Sequence, residues 1–194
     1  MEQFKQFLQA QFSIRSDQWD LVSSHFCLES LTRDTYFIRE GAPCRKAGFV
    51  LEGVLRYFGH DDKGDELTCY FAAENDYVIE PFSFPTQSPA TFNLQLVTDC
   101  RIATISFEKN RSLLSLLPAW TEISNTMIQR AMAEFANQKK MIAYDAAGRY
   151  ELFLEEYPQF AQRVPLQYVA SYLGIAQPSL SRLRKQMATK KNER

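Results

Sequence analysis

At 194 residues, 45% apolar and 13% aromatic, the chain is long enough for one large or two small packed units. Its apolar runs are only a few residues long and "MEQFKQFLQA" carries no basic-then-apolar leader, which argues against a membrane span or a signal peptide and makes the cytoplasm the expected compartment. The net charge of −1 is unevenly spread: residues 160–194 carry a balance of +6 and residues 1–159 carry −7, the footprint of a basic end that approaches a polyanion.

In chain order, residues 2–30 read as helical. Phe4, Phe7, Leu8, Ile14, Trp19, Val22 and Phe26 recur at three-to-four spacing, and Ser16 stands where a cap is expected. The period then changes. From Thr35 to about Phe107 the runs "TYFIREGAP", "AGFVLEGVLRYFG", "DELTCYFA", "DYVIEPFSF", "ATFNLQLVTD" and "CRIATISF" are β-rich and separated by turn residues; "HDDKGDE" is a hairpin signal in which Gly64 is free to take positive φ. Strands at this spacing predict a small antiparallel barrel or sandwich.

After Phe107 the pattern is helical to the end. "EKNRSLLSLL" predicts one helix stopped near Pro118, and residues 119–144 predict a much longer one. Its stripe of Trp120, Ile123, Met127 and Ala131, continued by Phe135 and widened by Ile128 and Met132, is expected to pack both on the chain's own β module and against a second copy. "DAAGRYELFLEEYP" predicts a third helix. Cys27, Cys44, Cys69 and Cys100 are unpaired in spacing and read as buried thiols. His25 and His60 have no partner at metal-ligand spacing, so neither a metal, a cofactor nor a catalytic set is expected. A cupin-like enzyme would need inward His and carboxylate ligands that these strands lack.

The last patterned stretch, "PLQYVASYLGIAQPSLSRLRKQ", meets the requirements of a helix-turn-helix. Val169, Ala170 and Leu173 face inward from the first helix, Gly174 makes the turn, Ile175 seals it, and Leu180 and Leu183 are the buried face of the second helix. Pro165 and Pro178 suit first-turn positions. The outward set of Gln177, Ser179, Ser181, Arg182, Arg184 and Lys185 is major-groove and phosphate chemistry with no acidic residue among it.

This arrangement resembles the Crp/Fnr family of bacterial transcription factors over nearly the whole chain. "FIREGAPCRKAGFVLEGVLRYF" is similar to the opening strands of a cyclic-nucleotide-binding β-roll, and "VPLQYVASYLGIAQPSLSRLRKQ" to the family's DNA-reading hairpin. The resemblance implies an α+β chain: an antiparallel β-roll (a double-stranded β-helix, or jelly roll) in residues 1–117, a long dimerisation helix in 118–143, and a helix-turn-helix domain in 144–194 whose wing is absent or truncated to "MATKKNER". In place of a wing, Lys190, Lys191 and Arg194 would contact phosphates from a flexible tail. It implies base contacts from Gln177 and Arg182 and phosphate contacts from Gln167 and Ser179; the outward chemistry of the second helix adds Ser181 to the base set and Arg184 and Lys185 to the phosphate set, and Trp120, Ile123, Met127 and Ala131 are expected in the dimer helix. The implied partners are double-stranded DNA and a second copy, with RNA polymerase and either an unknown small-molecule effector or none.

Two departures qualify it. Pro178 stands where family members often carry an acidic base-reading residue. The nucleotide cassette of the family holds ribose with a Gly-Glu pair and phosphate with an Arg about ten residues on. Here Glu80 is preceded by Ile79, and no Arg or Lys occurs between Asp76 and Asp99. A buried phosphate without a cation is strongly unfavourable, so cyclic AMP is not expected to bind in the usual way. Tyr77, Phe82, Phe84 and Phe92 are expected to fill this degenerate pocket around Glu80. The alternative function is a nucleotide or other small-ligand sensor whose terminal hairpin makes protein contacts.

Overall fold

Two short helices lead the chain, α1 (Glu2–Phe12) and α2 (Ser16–His25), in a computed structural model that describes residues 1–137 and 143–192. Phe4 and Leu8 of α1 and Trp19 and Val22 of α2 are buried. Ser16 is the first helical residue rather than the cap; the Gln18 side chain accepts the Arg15 N–H at 3.0 Å. The helical expectation for residues 2–30 ends five residues late. Phe26 is extended, and Cys27–Leu31 form strand β1, whose backbone groups bond to strand β8 (Cys100–Ser106).

The β module is two four-stranded antiparallel sheets. One has the order β1-β8-β3-β6, with β3 (Lys46–Glu52), β6 (Tyr77–Val78) and β8 (Cys100–Ser106); the other has the order β2-β7-β4-β5, with β2 (Tyr36–Ile38), β4 (Leu55–His60), β5 (Glu66–Ala72) and β7 (Asn93–Leu96). Gly64 takes φ +86° in the β4–β5 hairpin, as its turn chemistry predicts. "DYVIEPFSF" is not one long strand. β6 ends at Val78, and Ser83–Thr86 make a single helical turn, α3, because the Glu80 carboxylate takes the N–H groups of Phe82 and Ser83.

Alternation sorts the second sheet. Leu55 and Tyr57 of β4, Tyr70 and Ala72 of β5, and Leu94 and Leu96 of β7 point into the core between the sheets, where α1, α2 and the next two helices also pack. Val54, Arg56 and Phe58, with their cross-strand neighbours Phe71 and Gln95, lie on the opposite face, and that face is covered too. Val54, Phe71, Ala73 and Val97 share a second core with the C-terminal helices. Leu55 through Gly59 are therefore all buried.

α4 (Phe107–Leu116) starts on Ser106, whose Oγ accepts the Lys109 N–H at 3.2 Å, and α5 (Ala119–Asn137) follows Pro118. The Trp120 indole N–H donates to Asn110 Oδ1 at 2.9 Å inside the core. The expected continuation of this helix through residues 138–142 lies outside the described residues. α6 (Ala146–Glu156) is capped by Asp145 Oδ1, which accepts the Gly148 N–H at 2.8 Å; α7 (Leu166–Leu173) and α8 (Gln177–Asn192) complete the chain.

Candidate nucleic-acid interface

α7 and α8 meet across a tight turn. Gly174 sits in the left-handed region at φ +66°, and the Ile175 N–H returns to the Ala170 carbonyl at 3.1 Å, which closes α7 in the manner of a glycine C-cap. Val169, Ala170, Tyr172, Leu173 and Leu180 are buried, and Ile175, Leu183 and Met187 are partly buried against them. Gln167 of α7 and Gln177, Ser179, Arg182, Arg184 and Lys185 of α8 are exposed. Arg182, Arg184 and Lys185 form no salt bridge among the described residues.

Helical geometry divides the exposed residues further. Ser181, Arg182 and Lys185 share the strip opposite Leu180, Leu183 and Met187, with Pro178 in the same strip; Gln177 and Arg184 flank it on one side and Ser179 on the other. Ser181 is half-buried, which places it at the foot of this strip rather than at its crest. Residues 187–192 continue α8 and are not the flexible tail expected of "MATKKNER"; Arg194 lies outside the described residues. No strand follows α8 among the described residues.

The Glu80 cassette is self-satisfied. Glu80 is 1% exposed; one carboxylate oxygen accepts the Phe82 and Ser83 N–H groups and the other accepts the Thr91 hydroxyl at 2.8 Å. Ile79, in place of a glycine, exchanges both its backbone groups with the Tyr57 hydroxyl, donating at 2.9 Å and accepting at 3.2 Å. Ten residues beyond Glu80 is Ala90, buried, its N–H bonded to the Ala42 carbonyl at 2.9 Å. Burial pushes the Tyr57 and Tyr77 phenols well up and the Cys44 thiol to about 11, so these groups are neutral near pH 7.

The residues expected to fill one pocket do not gather in one place. Tyr77 is buried on β6 and lines a cavity of about 200 Å³ with Phe7, Tyr70, Met127 and Arg130; Phe92 stacks on Phe135 of α5 at 5.2 Å. Phe82 is 58% exposed and fills nothing, because Glu80 bonds its N–H and leaves the ring outside. Tyr57, Tyr70 and Phe135 supply the ring packing instead, with Tyr57 stacked on Tyr70 at 5.7 Å and edge-on to Phe135 at 5.0 Å.

For the α5 stripe, the packing expected on the chain's own β module is present. Trp120, Ile123, Met127 and Ala131 turn inward, between 0% and 7% exposed, against the chain's own roll. The lead helices and first sheet leave an apolar face that this stripe closes. Sequence reasoning also missed Arg56, Glu74, Arg163 and Ser171, which tie the roll to the helical pair. A lone Arg inside the apolar run "VLRYF" was the available signal.

Residues 28–116 match the family model of the cyclic nucleotide-binding domain. Over 132 residues the chain is 24% identical to the cAMP-activated global transcriptional regulator CRP of Haemophilus influenzae, a match covering 68% of this chain and only 58% of that relative. FixK2 from Bradyrhizobium japonicum superposes with a TM-score of 0.74 at 14% identity, over 85% of each chain. The c-di-GMP responsive global regulator CLP of Xanthomonas campestris gives 0.72 at 19% identity over 91% of this chain and 93% of its own. A Crp/Fnr-family regulator from Eubacterium rectale gives 0.74 at 14% identity over 95% and 88%. The chain thus joins residues that match a cyclic nucleotide-binding domain to helices in the fold of Crp/Fnr regulators, and the curated relative it matches is a transcriptional regulator. Among the described residues no cluster of His, Cys, Asp or Glu forms a metal site, and no helix is long and apolar enough to cross a membrane.

Proposed function

We propose that this chain is a DNA-binding transcriptional regulator of the Crp/Fnr type that binds a pseudo-palindromic operator as a homodimer and does not respond to cyclic AMP. The observation that carries the reading is the exposed, acid-free face of α8, on which Arg182 and Lys185 stand opposite a fully apolar packing face. In this reading residues 1–117 sense, 118–143 pair two copies and 144–194 read DNA as a helix-turn-helix. Gln177 and Arg182 address base edges with Ser181 beneath them, and Gln167, Ser179, Arg184 and Lys185 address phosphates. Partner contact falls to the flank of the α5 stripe, where Met132 is 41% exposed beside half-buried Ile128. Two reading helices then stand about 34 Å apart, one turn of duplex. Such a regulator works in the cytoplasm and contacts RNA polymerase when it activates.

Arg182→Ala should cost about 1–3 kcal/mol on the preferred duplex and relax preference at one base pair, whereas Lys185→Ala should weaken all duplexes alike and lower the salt slope by about one. Titration against a selected and a scrambled duplex checks both. Unchanged preference in Arg182→Ala removes the assigned role. Cyclic AMP should give no binding heat in calorimetry, because Glu80 already holds three donors and Ala90 offers a phosphate no charge. Micromolar binding of cyclic AMP or cyclic GMP would overturn that part.

A further inference from the structure

The outer face of the second sheet carries one cation, Arg56, and it is 2% exposed. Nε and Nη2 donate to Gln95 Oε1 at 3.0 and 2.7 Å, and Nη2 also donates to Glu66 Oε2 at 2.6 Å. The guanidinium lies over two rings: Phe58 of its own strand, 4.1 Å from the ring centre, and Tyr168 of α7, at 3.7 Å. Nη1 is buried with no acceptor among the described residues. A cation so placed is poorly explained as a source of stability, because an apolar side chain of the same length would fill the site without desolvating a charge. What a planar, hydrogen-bonded guanidinium does supply is direction: its edge is fixed by Gln95 and Glu66, and its face fixes where the Tyr168 ring lies.

The neighbouring contacts bear on the same helix face. Ser171 stands three residues after Tyr168 and so beside it on α7. Its hydroxyl donates to the Glu66 carbonyl at 2.6 Å and accepts the Thr68 N–H at 2.9 Å. Those two groups lie on the open edge of β5, the last strand of its sheet. Tyr172, one residue further, packs on Phe71 with ring centres 5.5 Å apart. Arg163, before α7, holds Glu74 of the β5–β6 turn through two bonds of 2.6 and 2.8 Å. α7 is therefore seated on β4 and β5 of its own roll, and α8 is oriented through α7.

We propose that Arg56 is a positioning residue for DNA reading: it fixes the rotation of α7, and through it α8, on the outer face of the roll. The inference rests on the proposed DNA function but goes beyond it, since Arg56 touches no DNA. Two half-sites engaged at once demand that both hairpins be held in one orientation, whereas a single half-site does not. A loosened hairpin loses ordering entropy only in the paired case. Arg56→Lys keeps the charge but not the plane or the fork, Tyr168→Leu removes the ring, and Tyr168→Phe keeps it.

The experiment measures binding of the full chain to duplexes with one and with two half-sites, selected on the parent protein. Arg56→Lys and Tyr168→Leu should lose about tenfold on the two-site duplex and nothing on the one-site duplex, with Tyr168→Phe equal to the parent. Equal losses on both duplexes, or none on either, would overturn the assignment. Hydrogen exchange on the same proteins without DNA keeps this separate from the DNA reading. In Arg56→Lys the α7 and α8 amides should lose at least tenfold in protection while β3 and β8 are unchanged. If the parent protein fails to bind DNA selectively, the proposed function fails and the exchange result alone decides the role of Arg56; uniform protection across all elements overturns it.

Discussion

The Glu74 carboxylate takes both terminal nitrogens of Arg163 and the Gly53 N–H at 2.8 Å, and the Arg163 hydrogen bonds hold its pKa at about 2, well below the usual carboxylate range. Because the folded value lies below the unfolded one, this pairing stabilises the protein above the ordinary value of 4.5 and is lost as pH falls from there towards 2. Both side chains are about one-third exposed, at 35% and 31%, so solvent screening leaves roughly 1–2 kcal/mol. Urea unfolding of Arg163→Gln should show that deficit at pH 7 and a progressively smaller one as the pH is lowered from 4.5 towards 2. A deficit that stays constant with pH would mean the loss is one of packing. Neither partner was legible in the sequence. Glu74 lies in the turn "AAEND" and Arg163 in "QRV", both ordinary surface contexts, and only the fold brings them together across 89 positions.

Among the elements, the turn glycines at the two ends of β4 differ in what they tolerate. Gly64 has φ +86° and open space around it, while Gly53 has φ +111° and a Cβ there would lie 2.6 Å from the Asp99 carbonyl and against the Cys100 sulfur. Gly64→Ala should therefore cost about 1 kcal/mol from conformation alone, and Gly53→Ala at least 3 kcal/mol because backbone must also move. Thermal melts of the two variants check the difference, and near-equal losses would mean that backbone conformation is the whole effect. The hairpin at Gly64 was readable from its turn chemistry, and so was the sorting of α7 and α8 into buried and exposed faces. The strand β1 was not. "CLESL" has no clear alternation, and only its pairing with β8 selects extended backbone over one more turn of α2. Likewise "VIEPFSF" reads as strand until Glu80 bonds the next two amides.

For the whole molecule, the decisive feature is that β4 is buried on both faces. Tyr57 faces the core between the sheets while Val54, Arg56 and Phe71 face α6–α8, so roll and helical module share side chains rather than a linker. They should unfold together. Calorimetry should give one endotherm whose van't Hoff and calorimetric enthalpies agree, and two resolved transitions would contradict the shared core. The seat joins the roll to α7 without passing through α5, which gives the Arg56 variants their interest.

By itself the sequence determined the periods, the turn glycines, the apolar and basic faces of the terminal pair, and the absence of any cation between Asp76 and Asp99. These are local properties, set by backbone sterics and by which side chains avoid water. What only the tertiary structure decided is what covers each face. The α5 stripe closes the chain's own roll, the outer face of the second sheet seats α7, and Glu80 bonds its own loop. An apolar face records that something must cover it but not which element does, and that choice is made by contacts between residues far apart in the chain.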